Sequence, residues 1–461
     1  MMGVGVIIGP GILVMSGTVA ARYAGPAIAI SYVLAFAVCL AVGLCYGELS
    51  SMMPSAGGAY TFITRSMGRR VGWLAGWCLL LQYLLAGSII AVGWSAYAAN
   101  LVRLVGWTVA PDWSGNPFQW TPGQGVSRTE AILNMPAVLI VASQTGLLLL
   151  GAKQSFRINT AIVAIKMVII VGFIATGLGN FDSANWTPFV PPNTGAWGAF
   201  GVSGILKAAA LVFVAYLGFD VLATTAQEAR NPGRTVPRAI ILTLVVCTVL
   251  YVMASLALTG LVHYTNLDVG NPLDVALRAG ATTHHWMMIV VDAGITIGLT
   301  AGVFSLLYAQ ARVMYAMATD EMLPGWLASI SSRGVPVLGI VAAGLLTAVL
   351  AGSLPVAFLT ELIAACTLLV FALVCATLLI LRRTAPQARR AFVVPLVPLV
   401  PATGCLACCG LLAGLSPATW IRFVVWLAVG FAIYAFRTWT VTRAGDGAAE
   451  AVVADRQDAG M

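Results

Sequence analysis

The sequence predicts an all-α integral membrane protein, and three observations carry the prediction. Hydrophobic residues make up 60% of the chain, and charged residues only 9%. The mean hydropathy is +0.94. Long apolar runs recur along nearly the whole chain, each close to the length that a helix needs to cross ~30 Å of hydrocarbon.

Twelve apolar runs are predicted to cross the membrane as one domain over residues 1–441. The remaining residues, 442–461, are rich in Ala, Gly and Asp and predict a disordered cytoplasmic tail. The predicted spans lie near residues 3–21, 27–50, 71–97, 131–151, 159–178, 201–225, 238–261, 287–312, 336–353, 357–381, 394–414 and 418–439.

The net charge of +8 has the distribution of a membrane protein and does not indicate a nucleic-acid partner. Most basic residues fall in loops after even-numbered spans, as in the cluster Arg65, Arg69 and Arg70. Positive loops stay in the cytoplasm, so both termini are predicted to be cytoplasmic. The first span begins at Met1 with no charged leader. We therefore expect either a very short first half-helix or a start that lies further upstream.

The nine cysteines and three histidines predict neither a metal site, a cofactor nor an enzyme. Cys405-x-x-Cys408-Cys409 has no second cysteine pair or histidine beside it, so its cysteines are expected to pack between helices. The histidines all fall in one outer loop, whereas a membrane-embedded enzyme needs convergent groups at mid-membrane. A channel would need rings of repeated polar groups, which the sequence does not show.

The first span is interrupted by Gly9-Pro10-Gly11. Proline lacks an N–H group and disrupts the preceding helical turn. Unwound backbone at membrane depth survives only where it is packed in protein or lines a cavity. Free N–H groups at Gly9, Gly11 and Ile12 are therefore candidates to bind a carboxylate. A proline-kinked packing helix is the alternative interpretation.

The sixth span carries the second interruption, where Gly218 stands near Asp220 in mid-span. Spans one and six are five apart, which fits two inverted repeats of five spans, about 1–178 and 201–381, followed by two extra helices over 394–439. Freed carbonyls in the two breaks could accept hydrogen bonds from an ammonium group, so the pair of breaks suits a zwitterion. The candidate carbonyls are those of Ile7, Val214, Ala215 and Leu217.

Several motifs together resemble the amino acid–polyamine–organocation superfamily, and within it the cationic amino acid transporter family and its bacterial relatives. The resemblance implies the LeuT-type fold and amino acid transport across the plasma (inner) membrane, commonly driven by protons. The motifs are Gly9-x-Gly11-Ile12, Tyr46-Gly47-Glu48-Leu49, Pro54-x-Ala56-Gly57-Gly58-Ala59-Tyr60, Ala215-Tyr216-x-Gly218-Phe219-Asp220, Glu228-x-x-Asn231-Pro232, Tyr308-x-Gln310-x-Arg312, Asp320-x-x-Leu323-Pro324 and Phe392-x-Val394-Pro395-Leu396-Val397-Pro398.

Lys166 is the candidate for proton coupling, because it stands alone in an apolar run. Burial disfavours the charged form of a lysine, which suits a group that gains and loses a proton. The resemblance adds that relatives place a lysine here, and Thr300 is expected to face it. Snorkelling toward the cytoplasmic surface is the alternative.

Two polar residues bear on gating and specificity. Asp220 is expected either to cap the second half of span six or to take part in gating. Gln82 stands where cationic-type relatives usually have Glu, so the charge that would bind a cationic side chain is missing. Gln82 is accordingly assigned to the substrate site, and a neutral amino acid is the predicted substrate.

The prediction is a secondary transporter, embedded in lipid, that moves a neutral amino acid together with a proton by alternating access. An amino acid exchanger and a carrier of cationic amino acids or polyamines are alternatives within this class. A channel or a membrane-embedded enzyme is the alternative from another class.

Overall fold

The computed structural model describes all residues except 1–4, 6, 9–11, 13–14, 122–124, 225–228, 230, 270–271, 280–284, 332–333, 354–359 and 459–461. The described part is almost entirely helical. Its one sheet is an antiparallel hairpin of β1 (Phe118–Thr121) and β2 (Gly125–Arg128). The α-helices are α1 Met15–Val19, α2 Ile28–Met52, α3 Ala59–Met67, α4 Arg69–Leu104, α5 Pro111–Ser114, α6 Met135–Leu149, α7 Ala152–Gly179, α8 Gly201–Val212, α9 Phe219–Thr224, α10 Pro232–Leu261, α11 Pro272–Ala279, α12 His285–Thr319, α13 Val337–Ser353, α14 Thr360–Thr384, α15 Leu399–Ala413 and α16 Pro417–Asp458.

Eight stretches of the described chain are long and apolar enough to cross a membrane. They begin with Met15–Met52, in which a π turn and a 3-10 turn join α1 to α2. Three shorter apolar helices, α6, α13 and α15, coincide with predicted spans four, nine and eleven. The predicted helical membrane protein is thus confirmed, whereas the count of twelve spans and their inverted repeat remain predictions.

The core lies between the long central helices. α4 packs mainly against α12, and α2 packs mainly against α10. The last helix, α16, lies at the periphery with most of its apolar residues exposed, and it is held by aromatic contacts. The rings of Trp77 and Trp426 stack at 4.4 Å between centroids, and the Trp77 indole N–H donates to the carbonyl of Trp426 at 3.0 Å.

The backbone of α16 continues to Asp458, so it includes residues 442–458, for which the sequence predicts a disordered tail. Several alanines and a glutamate in this stretch favour the helical state, which explains how the helix can extend beyond its apolar part.

The sixth predicted span is interrupted at mid-length, as the sequence predicts. Helix α8 ends at Val212, and a 3-10 turn covers Phe213–Tyr216. Gly218 has a φ of +123°, a conformation that a side chain would strain, and α9 begins at the next residue. The interruption therefore depends on glycine at this position.

A buried salt-bridge network lies at the end of α2. Glu48 at the end of α2 is fully buried there and forms salt bridges with Arg382 at 2.8 Å and Arg390 at 3.0 Å. It also accepts a hydrogen bond from the backbone N–H of Val394. One carboxylate thus fixes the segment that joins α14 to α15 against α2.

We predict that Glu48→Ala lowers the free energy of unfolding by about 3–5 kcal/mol, because it leaves Arg390, only 7% exposed, without its counter-charge. The control is Asp268→Ala, which removes the exposed salt bridge between Asp268 and Arg22 and should cost no more than about 1 kcal/mol. Thermal unfolding in detergent measures both. Equal losses of stability would contradict the buried network.

Candidate functional site

A small apolar cavity lies beside the interruption of the sixth span. Its volume is about 20 Å³, which is room for about one water molecule. Four of the predicted site residues, Ile7, Val214, Ala215 and Leu217, line it together. The other lining residues are Met15, Ala86, Ile89, Ile90, Leu306 and Ile363.

Two of the remaining predicted substrate residues, Ile12 and Gln82, are not among the described residues that line the cavity. Gly9 and Gly11 are outside the described residues. Ile12 is buried, and its carbonyl accepts a hydrogen bond from the Ser16 hydroxyl at 2.5 Å. Gln82 is buried but is not among the residues that line the cavity.

Tyr251 of α10 joins the first and sixth spans, and the sequence analysis missed it. Its hydroxyl lies 2.5 Å from the carbonyl oxygen of Ile7 and 2.9 Å from that of Ala215. A hydroxyl has one hydrogen, so it can donate fully to only one of these acceptors at a time. The only sequence signal for this role is a tyrosine in the middle of an apolar run.

The rings around Tyr251 hold its hydroxyl in place. Its ring centroid lies 5.2 Å from that of Tyr32 and 5.4 Å from that of Tyr216. The Tyr216 hydroxyl donates to the carbonyl of Tyr32, so α2 and the break are joined at the same level. The three buried tyrosines form one packed unit beside the cavity.

Lys166 of α7 points into the bundle and does not snorkel to its surface. Its side chain is almost completely buried. Its ammonium nitrogen donates to the backbone carbonyls of Gly5, at 3.2 Å, and Ile8. In the described part of the chain Lys166 has no salt bridge, so backbone oxygens of the first span supply its polar contacts.

Gly298 of α12 leaves the space that the Lys166 side chain occupies. A Cβ atom at position 298 would lie 2.9–3.2 Å from three carbon atoms of that side chain. Thr300, expected to face Lys166, instead accepts a hydrogen bond from the Trp94 indole at 3.0 Å and donates to the carbonyl of Thr296. Gly298 and Thr300 are on different sides of α12, because a separation of two residues turns a helix by about 200°.

Asp220 lies just beyond the break and is 1% exposed. One carboxylate oxygen accepts from the Tyr83 hydroxyl at 2.7 Å and from the Gln82 amide at 3.1 Å. The other accepts from the backbone N–H of Gly218 at 2.9 Å. Asp220 therefore ties the interruption to α4, and Gln82 belongs to this network.

The fold and the site together define a class of protein. In this multi-pass helical bundle, one helix is interrupted at mid-length beside a buried cavity, and a lysine is buried as well. These are features of a membrane transporter. A family model described as "Amino acid permease" matches residues 1–436. The chain belongs to this family, in the amino acid–polyamine–organocation superfamily, which confirms the resemblance seen in the sequence.

Relatives that extend over most of the chain include several transporters and permeases. The chain is 37% identical to a methylthioribose transporter of Bacillus subtilis (strain 168), over 94% of this chain and 90% of that protein. It is 36% identical to the branched-chain amino acid permease BcaP of the same organism, over the same shares. It is 34% identical to the vacuolar cationic amino acid transporter 4 of Arabidopsis thaliana, over 84% of this chain and 62% of that protein.

We predict that Gly298→Val impairs transport strongly at unchanged abundance in the membrane. The new side chain would displace Lys166 from the carbonyls of Gly5 and Ile8. Gly172→Val is the matched control, because it lies on the helix of Lys166 and its Cβ would meet open space. Uptake by cells expressing each variant measures the effect, and equal uptake by both variants would contradict it.

Proposed function

We propose that this permease takes up neutral amino acids together with protons, by alternating access of a twelve-span bundle. The membrane is the plasma membrane, with both termini in the cytoplasm. The single observation that carries the choice of substrate is the cavity beside the break. All ten of the described residues that line it are apolar, so none of them offers a carboxylate to a cationic side chain.

The backbone near the cavity supplies acceptors for an ammonium group. The carbonyl oxygens of Ile7 and Ala215 each have two lone pairs. The single hydrogen of the Tyr251 hydroxyl occupies at most one of these four lone pairs, so both oxygens can accept a further hydrogen bond. An α-ammonium has hydrogens for both carbonyls. An aliphatic side chain would then enter the apolar lining, and the first-span residues around Gly9 and Gly11 would bind the carboxylate.

The names of the relatives give different substrates, and the apolar lining of the cavity supports one of them. A branched-chain amino acid agrees with the apolar lining, whereas arginine or lysine would bury a charge without a partner, which is costly. An uncharged thioether such as methylthioribose is compatible with an apolar cavity, but it lacks the ammonium for which the carbonyls are suited. Neutral amino acids therefore rank first.

We predict that leucine, isoleucine and valine compete for uptake at concentrations at least about tenfold lower than arginine or lysine do, since ~1.4 kcal/mol corresponds to tenfold. Competition against labelled leucine in proteoliposomes, with an inward proton gradient, tests this. Methylthioribose belongs in the same panel. If arginine or methylthioribose is the best competitor, the neutral amino acid assignment fails.

Lys166 is proposed to couple the proton. In its charged form the ammonium draws the carbonyls of Gly5 and Ile8 toward α7, much as a bound cation would. In its neutral form it donates more weakly, because charge-assisted hydrogen bonds are about twice as strong as neutral ones. The first span would then be released from α7, and the cytoplasmic side could open.

We predict that Lys166→Ala abolishes accumulation driven by a pH gradient but retains substrate binding, because the cavity is lined by other residues. Binding is measured by substrate-induced thermal stabilisation, and accumulation by uptake in proteoliposomes. Lys207→Ala is the matched control, since that lysine lies over the ring of Tyr23, away from the cavity. Accumulation by Lys166→Ala with unchanged pH dependence would refute the coupling role.

A further inference from the structure

We propose that Asp220 is a second proton-binding group of the transport cycle, with the Gln82 amide as the partner that accommodates both of its protonation states. This inference goes beyond the proposed function, which needs only the proton on Lys166. It rests on the described surroundings of Asp220, which supply hydrogen bonds but no counter-charge.

The donors that contact Asp220 are all neutral. They are the Tyr83 hydroxyl, the Gln82 amide and the backbone N–H of Gly218. No lysine, arginine or histidine in the described part of the chain forms a salt bridge with this residue. A fully buried carboxylate is normally paired with a cation or neutralised by a proton, because burying an isolated charge is costly.

The neighbouring elements contribute further titratable groups, and these too are uncharged acids near neutral pH. α9 packs against α2, α3, α10 and α12. From α2, Tyr46 and Cys39 lie close enough to interact electrostatically with Asp220. Tyr83 on α4 does so as well, besides its hydrogen bond. None of these groups neutralises a carboxylate charge, so a proton is the available means.

The Gln82 amide makes both protonation states structurally possible. Its nitrogen donates to Asp220, while its oxygen is buried and has no hydrogen-bond partner among the described residues. A carboxylate can only accept, whereas a protonated carboxyl also donates one hydrogen. Rotating the Gln82 side-chain amide by 180° places its oxygen where its nitrogen was. The oxygen then accepts the hydrogen of protonated Asp220.

Protonation of Asp220 changes the strength of its hydrogen bond to the backbone of the interrupted span. A proton from the aqueous phase forms an O–H bond on the carboxylate, and the same bond breaks when the proton leaves on the opposite side of the membrane. The charged form binds the N–H of Gly218 strongly, and the neutral form binds it weakly. Leu217, the preceding residue, lines the cavity, so protonation acts directly on the substrate site.

Infrared spectroscopy of the full protein in lipid bilayers tests the proposal without any substrate. Titration should reveal a C=O stretching band of a protonated carboxyl in an apolar setting, and Asp220→Asn should abolish this band. Asp292→Asn is the control, since Asp292 is equally buried but contacts Asn100 on another part of α4. If the band survives in Asp220→Asn, Asp220 is not the proton-binding group.

Tyr83→Phe provides a second variant, which retains the acidic residue. It removes one donor that favours the charged carboxylate, so the midpoint of the band should move to higher pH by about one to two units. An unchanged midpoint would overturn the proposal. Both infrared results hold whether or not leucine is transported, so they are distinguishable from a failure of the proposed function.

If leucine is transported, proton stoichiometry gives a further readout. The number of protons per substrate, measured from the reversal of flux against imposed pH and substrate gradients, should fall by one in Asp220→Asn. Leucine exchange, which needs no net proton movement, should persist. An unchanged stoichiometry in this variant would count against Asp220 as a carrier of protons.

Discussion

Interrupted backbone at mid-membrane must find hydrogen-bond partners within the protein, and the centre of this molecule is organised by that constraint. Around the sixth span, the carbonyl of Ala215 meets Tyr251, and the N–H of Gly218 meets Asp220. Around the first span, the carbonyls of Gly5 and Ile8 meet Lys166. Tyr251 and Lys166 come from other helices, and Asp220 binds Tyr83 and Gln82 of α4. These contacts join the two spans to the rest of the fold.

The polar contacts at these breaks divide into two kinds. Tyr251 connects Ile7 of the first span to Ala215 of the sixth, whereas Lys166 and Asp220 connect these spans to the longer helices α7 and α4. The first kind joins spans one and six into one unit. The second kind joins that unit to its surroundings through groups that can change charge. A transport cycle requires contacts of both kinds, since one part of the bundle must move against the other.

The sequence predicted those features that follow from composition and from glycine or proline. The long helices follow from apolar length, and the break in span six follows from Gly218, whose backbone conformation a side chain would strain. The convergence of Ile7 with Val214, Ala215 and Leu217 followed from the matched positions of the two predicted breaks.

Other features needed the tertiary structure. Gln82 was assigned to the substrate site because of the residue type that relatives carry there, but its contact with Asp220 depends on how α4 rotates against the break. Thr300 was expected opposite Lys166, yet the rotation of α12 presents Gly298 to the lysine. Tyr251 was missed because a tyrosine within an apolar run has the same pattern whether its hydroxyl is structural or lies at a site. Residue type and spacing do not determine helix rotation.

The small size of the central cavity has a consequence for how the protein selects its substrate. A volume of about 20 Å³ is too small to hold an aliphatic amino acid side chain without rearrangement. A ligand that enters must separate close-packed aliphatic groups contributed by several helices, and close-packed interiors resist such separation. Selection by size then depends on how easily these side chains are pushed apart. Each methylene added to the ligand gains contacts but also requires further separation of the packed groups. Trimming a lining residue would lower that work for every ligand, so affinity and the rate of conformational change would shift together.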